Sequence, residues 1–162
     1  MADGGQQYGF GFPESSEREC LLESDEIVVD LFAGGGGASE ALRIALGRDP
    51  DICINHDPTA IGMHAANHPF ARHLTTDVWQ ADPKREIDGR RVGWLHLSPD
   101  CTHFSQAKGG QPRSVESRSL SWVACKWVGI GKPRLISLEN VMQMLSWGPL
   151  VLGHAPAVVL DA

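Results

Sequence analysis

The chain has 162 residues, enough for one domain with a substantial hydrophobic core. Its 42% hydrophobic and 21% charged residues are those of a globular chain, and no apolar run approaches the ~18 residues of a membrane span. The net charge of −6 argues against nucleic acid as a partner until its distribution is read: residues 1–30 hold eight acidic side chains against Arg18 alone, whereas residues 31–162 hold thirteen basic and twelve acidic.

Residues 1–25 are rich in Gly, Ser, Gln and Glu with little apolar periodicity, which predicts a mobile acidic leader with a short helix around Glu17–Glu23. The leader has neither a basic start nor an apolar core, so it does not read as a secretory signal, and the expected location is the cytoplasm. Cys20, Cys53, Cys101 and Cys125 lack C-x-x-C spacing, which fits free thiols in a reducing compartment.

Ordered structure is expected from Ile27. The β-branched run Ile27–Phe32 has strand length and stops at four glycines, Gly34–Gly37. Ala38, Ala41, Leu42, Ala45 and Leu46 then recur at helical spacing until Gly47. Strand, glycine turn and helix open a nucleotide-binding βαβ unit, in which a turn without Cβ atoms lets a ligand approach main-chain N–H groups. Counted from Gly34 the turn reads G-x-G-x-x-S, a departure from the dinucleotide pattern, and a purely structural turn competes with it.

A second strand is expected over about Asp51–Asn55. Asp57 follows it, 23 residues beyond Gly34, near the distance at which an acidic residue meets ribose hydroxyls. Helix resumes through Ile61, Ala65 and Ala66. His64 and His68 stand at i, i+4 on it, but no third ligand is evident and no metal is expected. Thr75–Val78 reads as a short third strand or its exit, Ala81–Arg90 as a polar link, and Val92–Leu97 as a buried fourth strand.

Past that strand comes Ser98-Pro99-Asp100-Cys101 on a long loop reaching about Val115. Open α/β sheets keep their chemistry at strand carboxyl ends, so Cys101 there reads as a nucleophile sooner than as a metal ligand or disulfide partner, with the filling of a small apolar gap, the usual place of a free cysteine, as the competing reading. Lys84, Arg85, Arg90, Arg91, Lys108, Arg113 and Arg118 surround it in sequence, which suits a polyanion and suits a solvated surface equally. A helix striped by Leu120, Val123, Ala124, Trp127 and Val128 follows, closed by Gly129 and Gly131. A fifth strand, Leu135–Leu138, ends at Glu139-Asn140-Val141.

DLFAGGGG (Asp30–Gly37), Asp57, Thr76-Asp77-Val78, the SPDCTHFSQ loop and ENV (Glu139–Val141) together resemble the cytosine-C5 DNA methyltransferase family over about Ile27–Trp147. The resemblance implies a Rossmann-like α/β methyltransferase fold that uses S-adenosyl-L-methionine and methylates a cytosine flipped out of DNA, with restriction-modification, phage and regulatory roles all open. It places Asp30, Phe32, Ala33, Gly34, Gly36 and Pro99 at the cofactor, Asp57 on its ribose and Asp77 on its adenine amino group. Cys101 becomes the nucleophile, Glu139 its partner on the base, and Asn140 a support.

Two departures accompany the resemblance. Asp100-Cys101-Thr102 stands where the family has Pro-Cys-Gln, and an inward carboxylate there opposes thiolate formation. Residues 26–150 read as a partial catalytic domain, incomplete at the C-terminus, and 151–162 as an aberrant or truncated tail. The alternative function is an inactive cofactor-binding module for which a second chain supplies the recognition region. A nicotinamide-dependent oxidoreductase explains the glycine turn and Asp57 but leaves Cys101 and ENV unused.

Overall fold

Val28, Val29 and Leu31 of strand β1 (Glu26–Leu31) are wholly buried, as a continuous apolar run must be when helices cover both faces of a parallel sheet. The computed structural model describes residues 21–99 and 122–142. Within them the chain alternates strand and helix: α1 (Gly37–Leu46), β2 (Ile52–Asn55), α2 (Pro58–Asn67), β3 (Arg72–Thr75), α3 (Pro83–Ile87), β4 (Arg91–Leu97), α4 (Val123–Gly131) and β5 (Leu135–Leu138). The five strands form one parallel sheet in the order β3-β2-β1-β4-β5. The order reverses beside β1, where open α/β sheets bind ligands.

Strand alternation sends Ile27, Val29, Leu31, Ile52, Ile54, Val92, Leu95 and Leu97 into a core with Ile87 of α3 and with Val123 and Trp127 of α4. Val28 faces the other way, with Leu42 and Leu46 of α1. At the amino edge of the sheet the buried Glu26 accepts from Arg134 Nη2 at 2.6 Å and from Arg91 Nη2 at 3.4 Å. The Arg134 hydrogen bond holds its carboxyl down at about 2, so β1 is tied to the residues that precede β5.

Three expected boundaries move. The third strand is Arg72–Thr75, and the buried Val78 belongs to the turn after it. The expected polar link contains α3, capped where Asp82 accepts from the Lys84 N–H and opened by Pro83. Five residues are too few to display a helical period. Helix α4 continues through Gly129 and Gly131 and ends at Lys132, in the left-handed region, before Pro133. Residues 1–20, 100–121 and 143–162, with the expected leader helix start, Leu120 and the tail, lie outside the described residues. No helix among the described residues is long and apolar enough to cross a membrane.

Candidate active site

All five strand tips point to one edge, and the glycine turn occupies its middle. Phe32 takes a left-handed conformation at φ 64°, Ala33 N–H donates to Ile54 O at 3.0 Å, and Gly36 has φ 105°. Side chains from the next strand and helix hold the carbonyls of this turn. Asn55 Nδ2 donates to Ala33 O at 3.0 Å, Asn67 Nδ2 to Gly35 O at 2.8 Å, and His68 Nε2 lies 3.2 Å from Gly36 O. Among the described residues the N–H groups of Gly34 to Gly37 have no such partner. A Cβ on Gly34 would point into open space, whereas one on Gly36 would lie 2.8 Å from the His68 ring. Gly34 therefore suits ligand approach, and Gly36 is required by packing and backbone alike.

Asp57 and Asp77 occupy the next two tips. Both are exposed, and each commits one oxygen to its own turn: Asp57 Oδ1 accepts from Thr59 N–H at 2.8 Å, Asp77 Oδ1 from Trp79 N–H at 2.7 Å. The second oxygen of each has no hydrogen-bond donor among the described residues.

On the other side, main-chain and side-chain bonds close the tips of β4 and β5 together. Ser98 N–H donates to Leu31 O at 3.3 Å, Glu139 N–H to Leu97 O at 2.9 Å, and Asn140 Nδ2 to Pro99 O at 2.9 Å. Pro99 is thus gripped by the ENV segment, with Glu139 exposed beside it. Cys101 and Asp100 lie outside the described residues. Of the seven basic residues, Arg90 and Arg91 do not stand at this edge. Arg91 begins β4 at the opposite end from Pro99 and pairs with Asp25 and Glu26, while Arg90 donates to Ile87 O. A seven-residue strand separates its ends by ~20 Å, so neighbours in sequence stand on opposite edges. Lys108, Arg113 and Arg118 lie outside the described residues.

Asp30 lies one residue below the β1 tip and is 1% exposed. Ser39 Oγ, at the start of α1, donates to its Oδ2 at 2.6 Å, and Oδ1 has no partner among the described residues. Its cross-strand partner His96 is buried, and its Nε2 has no partner among the described residues. Burial raises the Asp30 carboxyl to about 6, against the Ser39 hydrogen bond that lowers it. The folded chain therefore keeps a proton between about pH 4 and 6 that the unfolded chain releases, so stability falls as pH rises through that window. The full contribution is roughly 3 kcal/mol. Burial holds His64 down at about 4, which gives the opposite slope. The difference in urea midpoints between Asp30→Asn and the parent chain isolates the Asp30 effect: the variant should gain relative stability from pH 4 to 7, and a constant difference would refute the assignment.

The arrangement is a glycine turn open to a ligand on the Gly34 side, flanked by two acceptors and a clamped loop base. The model of the family described as C-5 cytosine-specific DNA methylase matches residues 27–148. This chain belongs to that family. A candidate DNA modification methyltransferase encoded within a prophage (E. coli) is similar in structure, with TM-score 0.61 and 26% identity over 73% of this chain and 32% of that one. The Dnmt2 methyltransferase of S. pombe shares the fold at TM-score 0.51, with 24% identity over 71% of this chain and 34% of that one. DNMT2 of Spodoptera frugiperda does so at TM-score 0.53, with 19% identity over 72% and 36%. The chain thus spans about a third of the length of these solved structures. No curated protein sequence matches it significantly.

Membership in the DNA methylase family accounts for the order of the tips, and the Rossmann-like α/β expectation holds. Sequence reading missed the residues that shape the turn from behind: Ser39, Asn55, Asn67 and His68. Asn55 is the last residue of β2, a position at which a polar residue often reaches a neighbouring loop. Nothing in the sequence pattern distinguished Asn67 from an ordinary helix end, and the i, i+4 spacing of His68 from His64 drew attention to metal binding rather than to the turn.

Proposed function

We propose that the chain transfers a methyl group from S-adenosyl-L-methionine to C5 of cytosine in DNA, or forms the catalytic part of an enzyme that does so. The observation that carries this reading is the order of the strand tips. Asp77 after β3, Asp57 after β2, the N–H groups of the glycine turn after β1, Pro99 after β4 and Glu139-Asn140 after β5 follow one another along one edge, with Cys101 two residues beyond Pro99 in sequence. Adjacent strands are ~4.8 Å apart, so three neighbouring tips match the extent of an adenosine carrying a short chain.

The donor set fits that cofactor. Free carboxylate oxygens at Asp57 and Asp77 suit ribose hydroxyls and an exocyclic amine, and the N–H groups of Gly34–Gly37 at the amino end of α1 suit a carboxylate. Phe32, Ala33, Gly34 and Gly36 line the same turn. Asp30 supports it from below through Ser39, and Pro99, held by Asn140, stands at the neighbouring β4 tip. The cofactor supplies an electrophilic methyl group on a sulfonium.

The residues of the chain make cytosine able to accept that group. The C5 atom is a poor nucleophile, so the Cys101 thiolate adds to C6 while Glu139, protonated, donates to N3 and removes the charge that builds on the ring. C5 then takes the methyl group, its proton passes to a base, and expulsion of the thiolate restores the aromatic ring as N3 returns its proton to Glu139. Because C6 is buried in the base stack, the nucleotide must first leave the helix.

The apolar side chains Ile136 and Leu138 of β5 are half exposed, which favours a second reading: a module on which a further segment or second chain, carrying the recognition region, packs against β5. Calorimetry tests the cofactor assignment first. S-adenosyl-L-methionine should bind more tightly than NAD, and Asp57→Ala should cost about 1.5–3 kcal/mol of that affinity, the worth of a charge-assisted hydrogen bond. Tighter binding of NAD, or unchanged affinity in a folded Asp57→Ala chain, would overturn it.

A further inference from the structure

His64 and His68 share one face of α2, yet the structure separates their roles. His68 turns to Asp49 and Gly36, whereas His64 turns to the sheet and meets two residues 11 and 9 positions away in sequence. Cys53 of β2 and His73 of β3 are cross-strand partners, so their side chains emerge on the same face of the sheet, under α2. The Cys53 sulfur and one ring nitrogen each of His64 and His73 lie within 4.8 Å of one another.

The hydrogen bonds fix how the His64 ring is presented. Ser39 Oγ gives its hydrogen to the Asp30 carboxylate, so at 2.9 Å it can only accept from His64 Nε2–H. His64 Nδ1 is then left with a lone pair, aimed at His73 Nε2 at 2.9 Å. Burial lowers the proton affinity of both rings, which favours neutral imidazoles, the form that binds metals. A ligating imidazole whose other N–H is held by a carboxylate-bound group is the usual outer arrangement of zinc sites.

We propose that Cys53, His64 and His73 form a binding site for a thiophilic divalent cation, Zn2+, that staples β2, β3 and α2 together behind the glycine turn. Zinc takes sulfur at ≈ 2.3 Å and imidazole nitrogen at ≈ 2.0–2.1 Å, which places tetrahedral ligand atoms roughly 3.3–3.6 Å apart. The two histidines need to part by a few tenths of an ångström and the sulfur to close by about 1 Å. The bare thiol is costly to ionise, because burial and the Asp30 charge push its pKa far up. Binding replaces the S–H bond by an S–Zn bond and releases that proton to the buffer. The His73 ring proton moves to the ring nitrogen away from the metal, where the Ala71 backbone hydrogen bond favours it. His73 stands partly exposed on the edge strand, which provides the entry path and a fourth position for water. The His68 ring, 4.8 Å from His64, opposes the added positive charge, and the Asp30 and Asp49 carboxylates offset it.

The test uses the full chain, reduced and stripped of metal, titrated with Co2+ and then Zn2+. One Co2+ per chain should bind with a thiolate-to-cobalt charge-transfer band and the visible bands of a tetrahedral site. Zn2+ should displace it, release about one proton and raise the melting temperature. Cys53→Ala should abolish the band, and His73→Gln should weaken binding by more than about 100-fold. Ser39→Ala, acting through His64, should weaken it about 10–100-fold. Cys101→Ala and Cys125→Ala should leave the band unchanged. Absence of the band from the parent chain, its persistence in both Cys53→Ala and His73→Gln, or its loss in either control would overturn the site. Should Cys53→Ala not fold, His73→Gln on the edge strand decides alone.

Discussion

Cys101→Ser is expected to abolish covalent capture of DNA that carries 5-fluorocytosine, lowering the rate of adduct formation at least about 1,000-fold. Fluorine at C5 cannot leave as a proton, so once the methyl group is in place the thiol stays bonded to C6 and the complex survives denaturing electrophoresis. The serine hydroxyl is un-ionised at neutral pH and a far weaker nucleophile than a thiolate. Cofactor affinity should be nearly unchanged, because the glycine turn and the Asp57 and Asp77 tips are built without the cysteine. Glu139→Gln should slow capture about 100-fold, because an amide cannot supply the proton that N3 requires. The assay is run on this chain joined to a recognition segment from a related enzyme, so that the base is presented. Capture that persists in Cys101→Ser would place the nucleophile elsewhere and remove the basis for the proposed mechanism.

The largest loss of stability is expected from Trp127→Ala, about 3–5 kcal/mol in denaturant unfolding. Trp127 is 1% exposed and is among the largest fully buried side chains. It belongs to the core formed by β1, β2 and β4, so its removal leaves a cavity under α4. Its Nε1 has no hydrogen-bond partner among the described residues, so the ring contributes through packing alone. Trp127→Phe should therefore cost much less, because it keeps an aromatic ring and removes a buried unpaired donor. The consequence reaches the site through Lys126, the preceding residue, whose Nζ donates to Trp79 O at 2.6 Å and Ala81 O at 2.7 Å. Those carbonyls lie two and four residues after Asp77, so loosening α4 should also weaken cofactor binding. Equal unfolding midpoints for Trp127→Ala and Trp127→Phe would show that the ring does not carry the packing.

Local sequence determined the elements that are long enough to display a period. Ile27–Leu31 could only be a buried strand, Ala38–Leu46 carried a helical stripe, and Gly34–Gly37 marked the turn between them. The family's motifs were equally legible, because each sits at a strand tip and a strand tip is set by where an apolar run stops. Short elements were not: α3 spans five residues, and β3, at the sheet's edge, lacks a continuous apolar run. Tertiary structure alone decided what parallel pairing brings together. It sent Arg91 to the edge opposite Pro99 although only seven residues lie between them, since a strand is straight and rigid. It brought Asn140 to Pro99 and placed Cys53, His64 and His73 in one cluster, since register and crossover helices join residues that no spacing rule connects. Residue types and their order in the chain named the chemistry; the sheet's register determined which of those residues meet.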